Sequence, residues 1–130
     1  MKIRFVVVDD AAFLRELIKN IVSEDGGLCV GEASNGEEAI AVVGASLPDV
    51  VFLDMVMPLK NGIDTATHLK QFYPEVKIIG CSTVDQDALV RKAYAAGFDA
   101  YITKPFTKED ITNALTNVFP HLGEFPHGRT

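Results

Sequence analysis

Five short apolar runs rich in β-branched residues alternate with five stripes of helical periodicity, and this alternation narrows the choice of fold more than any other property of the chain. The runs Ile3–Val8, Leu28–Gly31, Val50–Leu53, Val76–Cys81 and Ala100–Thr103 have the length and composition of strands. Between them Phe13, Leu14, Leu17, Ile18, Ile21 and Val22 recur at helical spacing. The same spacing relates Ala39, Ile40 and Val43, then Ile63, Ala66 and Leu69, then Val90, Ala93 and Tyr94, and finally Ile111, Ala114, Leu115 and Val118. Crossovers between parallel strands take one hand, so the pattern predicts an α/β fold with a single parallel sheet and helices on both faces. Uninterrupted apolar runs such as Phe5-Val6-Val7-Val8 agree, because a parallel strand is buried on both sides. Asn35 with Glu38 and Thr107 with Asp110 match the capping-box pattern, and Gly97 supplies a left-handed helix stop.

A chain of 130 residues suffices for one domain with a sizeable core and leaves no room for a second, effector domain. Residues 1–120 are expected to form that domain. The tail 121–130, with Gly123 and Pro126, is expected to be loosely ordered, and its His121 and His127 have no sequence partner that suggests a metal site. A net charge of −6 and a pI near 4.9 lack the basic footprint of a DNA-binding protein. The apolar run Phe5–Val8 is too short for a signal peptide or a membrane span, so a cytoplasmic protein with no membrane insertion is expected. Cys29 and Cys81 lie in apolar runs without metal-ligand spacing and read as small buried hydrophobes.

In an open α/β sheet, ligands collect beyond the carboxyl ends of the strands. Asp9 and Asp10 follow the first run, Asp54 the third, Ser82 and Thr83 the fourth, and Lys104 the fifth. Asp10 alone is equally well read as a helix cap, and Lys104 alone as a surface lysine that its place before Pro105 lets lean over the edge. Asp54 is one charge inside an apolar stretch, where a lone carboxylate is unfavourable unless it is paired or metal-bound. Three carboxylates at one edge repel by roughly 1–4 kcal/mol per pair at about 4 Å. A divalent cation with oxygen ligands relieves this, and Mg²⁺ suits a site with few carboxylates because it keeps waters and accepts phosphate oxygens. Metal plus lysine describes phosphoryl transfer, in which a carboxylate can serve as nucleophile.

With Val8-Asp9-Asp10, Leu53-Asp54-Met55-Val56-Met57-Pro58, Gly62, a hydroxyl after the fourth strand and Thr103-Lys104-Pro105-Phe106 in order, the sequence resembles the CheY-like receiver domain of two-component response regulators. The resemblance extends to Phe119. It implies the flavodoxin-like doubly wound five-stranded parallel sheet with strand order 2-1-3-4-5, which puts Cys29 and Cys81 roughly 14 Å apart at about 4.8 Å per strand, too far for a disulfide. It implies that Asp54 is the phosphoacceptor, that Asp10 and Asp54 hold Mg²⁺ through their side chains, Val56 through its backbone carbonyl and Asp9 through water, and that Lys104 pairs with the phosphoryl group. The Lys104–Pro105 bond is expected to be cis. Spacing to Lys104 makes Ser82 the switch hydroxyl, with Thr83 standing where the family usually has Ala or Gly, although the adjacency of the two leaves the choice open. Tyr101 falls at the aromatic switch position; otherwise it is a strand aromatic packed on the fourth helix.

The implied function is that of a phosphoacceptor signalling protein rather than a turnover enzyme. A histidine kinase donates the phosphoryl group, and output passes by protein binding at the surface of the fourth helix, fifth strand and fifth helix, including Arg91 and Lys92. The segment Asp9–Arg15 resembles chemotaxis receivers, which points to a CheA-type kinase and the flagellar motor switch, with a phosphatase as a further partner. A standalone receiver of another pathway, acting as phosphorelay intermediate or phosphate sink, is the alternative, followed by a phosphorylation-independent pseudo-receiver. A haloacid-dehalogenase-like phosphatase needs an Asp-x-Asp pattern after the first strand, and Asp9 and Asp10 are followed two positions on by Ala11 and Ala12. A flavodoxin needs a hydroxyl- and glycine-rich phosphate loop there, and Asp9-Asp10-Ala11-Ala12-Phe13 is not one.

Overall fold

The uninterrupted apolar runs become strands of one sheet covered on both sides, with alternate residues sent to its opposite faces. Residues 2–57, 60–83 and 87–120 are described by the structure, a computed structural model. The tail 121–130, with His121 and His127, and Pro58 of the Leu53–Pro58 motif lie outside the described residues. The elements run β1 (Arg4–Val8), α1 (Ala12–Glu24), β2 (Leu28–Ala33), α2 (Gly36–Ser46), β3 (Val50–Asp54), α3 (Gly62–Phe72), β4 (Lys77–Ser82), α4 (Asp87–Ala96), β5 (Ala100–Thr103) and α5 (Lys108–Val118). The strands pair in parallel in the order β2-β1-β3-β4-β5, the doubly wound order expected.

Two cores result. On one face Phe5, Val7, Phe52 and Ile79 pack with Ile18 and Val22 of α1 and Ile111 and Leu115 of α5; the Phe5 and Phe52 rings meet edge to face at 6.1 Å. On the other face Val6, Val51, Leu53 and Ile78 pack with Ala39 and Val43 of α2, Ala66 and Leu69 of α3 and Ala93 of α4. Burying one such side chain is worth about 1.5–3 kcal/mol, so the two layers supply the main drive to fold.

Three strands reach further than their apolar runs suggest. The ladder takes in Ala33, and both Asp54 and Ser82 are the last residues of their strands. Polar residues at a strand's carboxyl end interrupt apolar patterning without interrupting backbone pairing.

The six apolar positions of α1 are not all buried. Ile18 and Val22 are fully covered, but Phe13 is 73% and Leu17 42% exposed, because the six positions span a wider arc than the sheet and α5 can cover. Tyr94 of α4 is also exposed. Thr107 and Asp110 form a complete capping box. Asn35 accepts from the Glu38 N–H, but the Glu38 carboxylate takes the Ser34 N–H and hydroxyl instead of the Asn35 N–H, so that box is half formed. Gly97 ends α4 at φ 118, a conformation that glycine adopts without the strain a side chain would bring.

Cys29 and Cys81 are both free. Cys81 is buried as expected, and burial pushes its thiol pKa up. Cys29 is only half-buried, because β2 is an edge strand. Strands β1 and β3 lie between the two, which places them three strand spacings apart.

Candidate functional site at the carboxyl edge of the sheet

Strands β1 and β3 are adjacent and in register, with Val8 opposite Leu53, so the residues that follow, Asp9 and Asp54, leave the sheet side by side. The carboxylates of Asp9, Asp10 and Asp54 come within 4.8 Å of one another. Asp9 and Asp54 are buried and Asp10 is exposed, so the cluster opens to solvent on the Asp10 side. Asp10 does not cap α1: Ala11 is the N-cap residue and makes no side-chain capping bond. Its carboxylate therefore belongs to the acidic cluster.

Asp9 is held from several directions. Its N–H donates to the Ala33 carbonyl at 3.1 Å, its Oδ1 accepts from the Ala11 N–H at 2.9 Å, and its Oδ2 accepts from Lys104 Nζ at 2.9 Å. Asp54 Oδ1 accepts from the Val56 N–H at 3.3 Å, and Oδ2 lies 3.5 Å from Lys104 Nζ. Lys104 thus bridges two carboxylates across the gap between β1, β3 and β5.

The neighbourhood of Asp54 depends on Gly62. Its N–H donates to the Met55 carbonyl at 2.9 Å, and a Cβ there would lie 2.5 Å from the Asp54 carbonyl oxygen. Any larger residue would push α3 off the end of β3. Asn61 caps α3 through the Asp64 N–H. Val56, beside the cluster, has an exposed side chain.

Ser82 is buried at the end of β4, one residue beyond Cys81, the partner of Asp54 in the β3–β4 register. Its carbonyl accepts from the Lys104 N–H at 2.8 Å, which ties the ends of β4 and β5 together. Thr83 follows it and is exposed. The Lys104–Pro105 bond is cis. Tyr101, on β5, is half-buried and packs against the second core, at the edge of a hollow of about 400 Å³ that it shares with Tyr94, Asn113 and Asn117.

Burial raises the pKa of Asp54 above the usual aspartate range, the Asp9 charge raises it further, and Lys104 opposes both. Burial works against the Lys104 charge too, but the Asp9 hydrogen bond and the Asp54 and Asp9 charges outweigh it and hold the ammonium above its ordinary pKa. One cation against three carboxylates leaves the cluster negative. Its donors are all hard carboxylate oxygens, open on one side, which fits a hydrated Mg²⁺ and does not fit a soft metal.

A profile of the response regulator receiver domain matches residues 5–116. The chain belongs to that family. This receiver is 41% identical over 115 residues to the chemotaxis protein CheY of Thermotoga maritima, a match covering 88% of the chain and 96% of that protein. It is 38% identical over 113 residues to CheY of Halobacterium salinarum, covering 87% and 93%. Its fold superposes with a TM-score of 0.87, at 25% identity and over 90% of this receiver and 89% of the other chain, on a crystal structure from Borrelia burgdorferi of a complex of CheX, CheY, BeF3 and Mg²⁺. Receiver domains are signalling phosphoacceptors of two-component systems that bind Mg²⁺ at an acidic pocket, and are not turnover enzymes in the usual sense. Among the described residues, no helix is long and apolar enough to cross a membrane.

The contact of Arg15 with the site escaped the sequence reading. Arg15 donates from Nη1 to the Asp9 carbonyl at 2.6 Å and from Nε to Glu32 at 3.0 Å. Its place one turn into α1, close after Asp9 and Asp10, was the available signal. Nothing in the sequence connects it to Glu32.

Proposed function

We propose that this receiver, spanning residues 1–120, takes a phosphoryl group onto Asp54 from a phosphohistidine of a histidine kinase and signals through phosphorylation-dependent protein binding. The observation that carries the reading is Lys104 Nζ, 2.9 Å from Asp9 and 3.5 Å from Asp54, at the mouth of a carboxylate cluster within 4.8 Å. An Asp54 carboxylate oxygen attacks phosphorus, and the P–N bond breaks with its electron pair leaving on the imidazole, which is released neutral once it carries a proton. Asp54 becomes an acyl phosphate. Lys104 offers its ammonium to the transferring group, whose charge is spread over equatorial oxygens. Asp10 and Asp54 through their side chains, Val56 through its carbonyl and Asp9 through water would hold Mg²⁺, which when bound neutralises the carboxylates and the incoming phosphoryl charge.

Ser82, buried at the strand end, is the hydroxyl that donates to a phosphoryl oxygen once it is in place, and exposed Thr83 lines the approach. Movement of Ser82 toward the phosphoryl group makes room for Tyr101 to turn inward. That motion remodels the surface of α4, β5 and α5, including Arg91 and Lys92, and shifts the population between two conformations. The likeness to the CheY proteins supports a chemotaxis role, with a CheA-type kinase as donor, the flagellar motor switch as target, and a phosphatase acting on the phosphorylated form.

Intact-mass spectrometry with acetyl phosphate, with and without Mg²⁺, tests the reading. A metal-dependent gain of about 80 Da, the mass of the added PO₃ unit, that vanishes in Asp54→Ala is expected. No gain in the wild type refutes phosphoacceptance, and a gain surviving in Asp54→Ala refutes the choice of nucleophile.

A further inference from the structure

We infer that Arg15 is a positioning residue for the Mg²⁺ site: it fixes the backbone that presents Asp9 and Asp10, and Glu32 of β2 fixes Arg15 in turn. The inference rests on the Mg²⁺ site of the proposed function. Asp10 sits between two restrained peptides. On its amino side the Asp9 carbonyl accepts from Arg15 Nη1 at 2.6 Å, and on its carboxyl side the Ala11 N–H donates to Asp9 Oδ1 at 2.9 Å. At the helix start Ala11 makes no side-chain capping bond, and the backbone bonds there, from the Leu14 and Arg15 N–H groups, go to the Ala11 carbonyl and not to that of Asp9. The carbonyl is therefore held from α1, by a planar guanidinium that donates along two edges at once.

The second edge of that fork reaches Glu32 Oε1 at 3.0 Å, and the other Glu32 oxygen accepts from Lys19 Nζ at 2.8 Å. Lys19 in turn pairs with Glu16 at 2.7 Å. The Arg15 side chain is 20% exposed, so it is largely withdrawn from competing water. A residue that orients a metal ligand without touching the metal commonly changes metal affinity when removed.

Positioning and simple charge predict opposite signs. Arg15 is a cation next to a cation site, so if charge alone counted, its removal would tighten Mg²⁺ binding. If it positions Asp9 and Asp10, its removal weakens binding, because the carboxylates must then be ordered by the metal itself.

The test is calorimetric titration of Mg²⁺ into the full unphosphorylated chain, as wild type, Arg15→Met and Arg15→Lys, with amide hydrogen exchange at Ala11 in the metal-free state. Arg15→Met keeps the apolar stem and loses charge and fork. Its Mg²⁺ Kd is expected to rise about tenfold, with faster exchange at Ala11. Arg15→Lys keeps the charge and one donor, and is expected to lie between Arg15→Met and wild type. Binding by Arg15→Met as tight as wild type, or tighter, overturns the inference while leaving the Mg²⁺ site standing. If Arg15→Met does not fold, Arg15→Lys decides: weaker binding than wild type supports positioning, and equal binding overturns it. No Mg²⁺ binding by the wild type overturns the metal site of the proposed function and this inference with it.

Discussion

Replacing Asp54 by Asn removes one charge from the crowded edge while keeping an oxygen to accept from the Val56 N–H, and it is expected to stabilise the metal-free protein. With effective dielectric about 20, two carboxylates 4.8 Å apart repel by about 3.5 kcal/mol, and an ammonium 3.5 Å from Asp54 attracts by about 4.7 kcal/mol. Asp54 has two carboxylate neighbours and one ammonium, so repulsion exceeds attraction by about 2 kcal/mol. Burial of the charge adds to the same side. For a chain of this size about 2 kcal/mol raises Tm by about 6–10 °C.

The pH dependence follows from the raised pKa of Asp54. Between the unfolded aspartate value, about 3.9, and the raised folded value, the native state binds more protons than the unfolded one, so wild-type stability falls as pH rises through that window. Asn has no proton to lose there. The gap between variant and wild type should therefore open as pH rises above about 4 and level off above the folded pKa. Thermal melts in EDTA across that range measure it. Saturating Mg²⁺ should then narrow the gap, adding about 2.7 kcal/mol to the wild type at 100 times its Kd and less to the variant. An Asp54→Asn protein that melts in EDTA at or below the wild-type temperature at neutral pH would refute the claim that these carboxylates repel.

Lys104→Ala should destabilise the protein in EDTA by about 3 kcal/mol, since it leaves buried Asp9 and Asp54 without their cation; urea unfolding reads the change, and a loss below 1 kcal/mol on the order-of-magnitude scale of surface pairs would show the bridge to be of surface type. Thr83→Ala should speed both phosphorylation by acetyl phosphate and loss of the phosphoryl group by about threefold, or about 0.7 kcal/mol of barrier; unchanged rates in a phosphorylation time course would remove Thr83 from the approach to Asp54. Thr107→Ala should lower stability by about 1 kcal/mol through loss of the complete capping box of α5, measured by chemical denaturation, with the phosphorylation rate unchanged.

Much of the fold was legible because periodicity is a local property. The five strands and five helices occupy the segments that the apolar patterns mark, and the strand order followed from resemblance to receivers. Asp9, Asp10, Asp54, Ser82 and Lys104 could be placed at one edge from the sequence alone, because each ends a strand or lies within two residues of a strand's end, and parallel strands end on the same side. The mismatches are local patterns that tertiary surroundings overrode. Phe13 and Leu17 carry helical spacing yet face outward, Cys29 sits on the edge strand β2, which among the described residues pairs only with β1, and Glu38 turned from Asn35 to Ser34.

What the sequence by itself determined is therefore the order of the elements and the residues delivered to the carboxyl edge. Tertiary structure decided who holds whom there. Lys104 reaches Asp9 across 95 residues of sequence, and Arg15 joins the Asp9 carbonyl to Glu32, 17 residues further along. Such contacts depend on side-chain rotamers chosen by packing after the strands have docked, and a pattern read along one chain carries no information about which distant group will be within 3 Å of it.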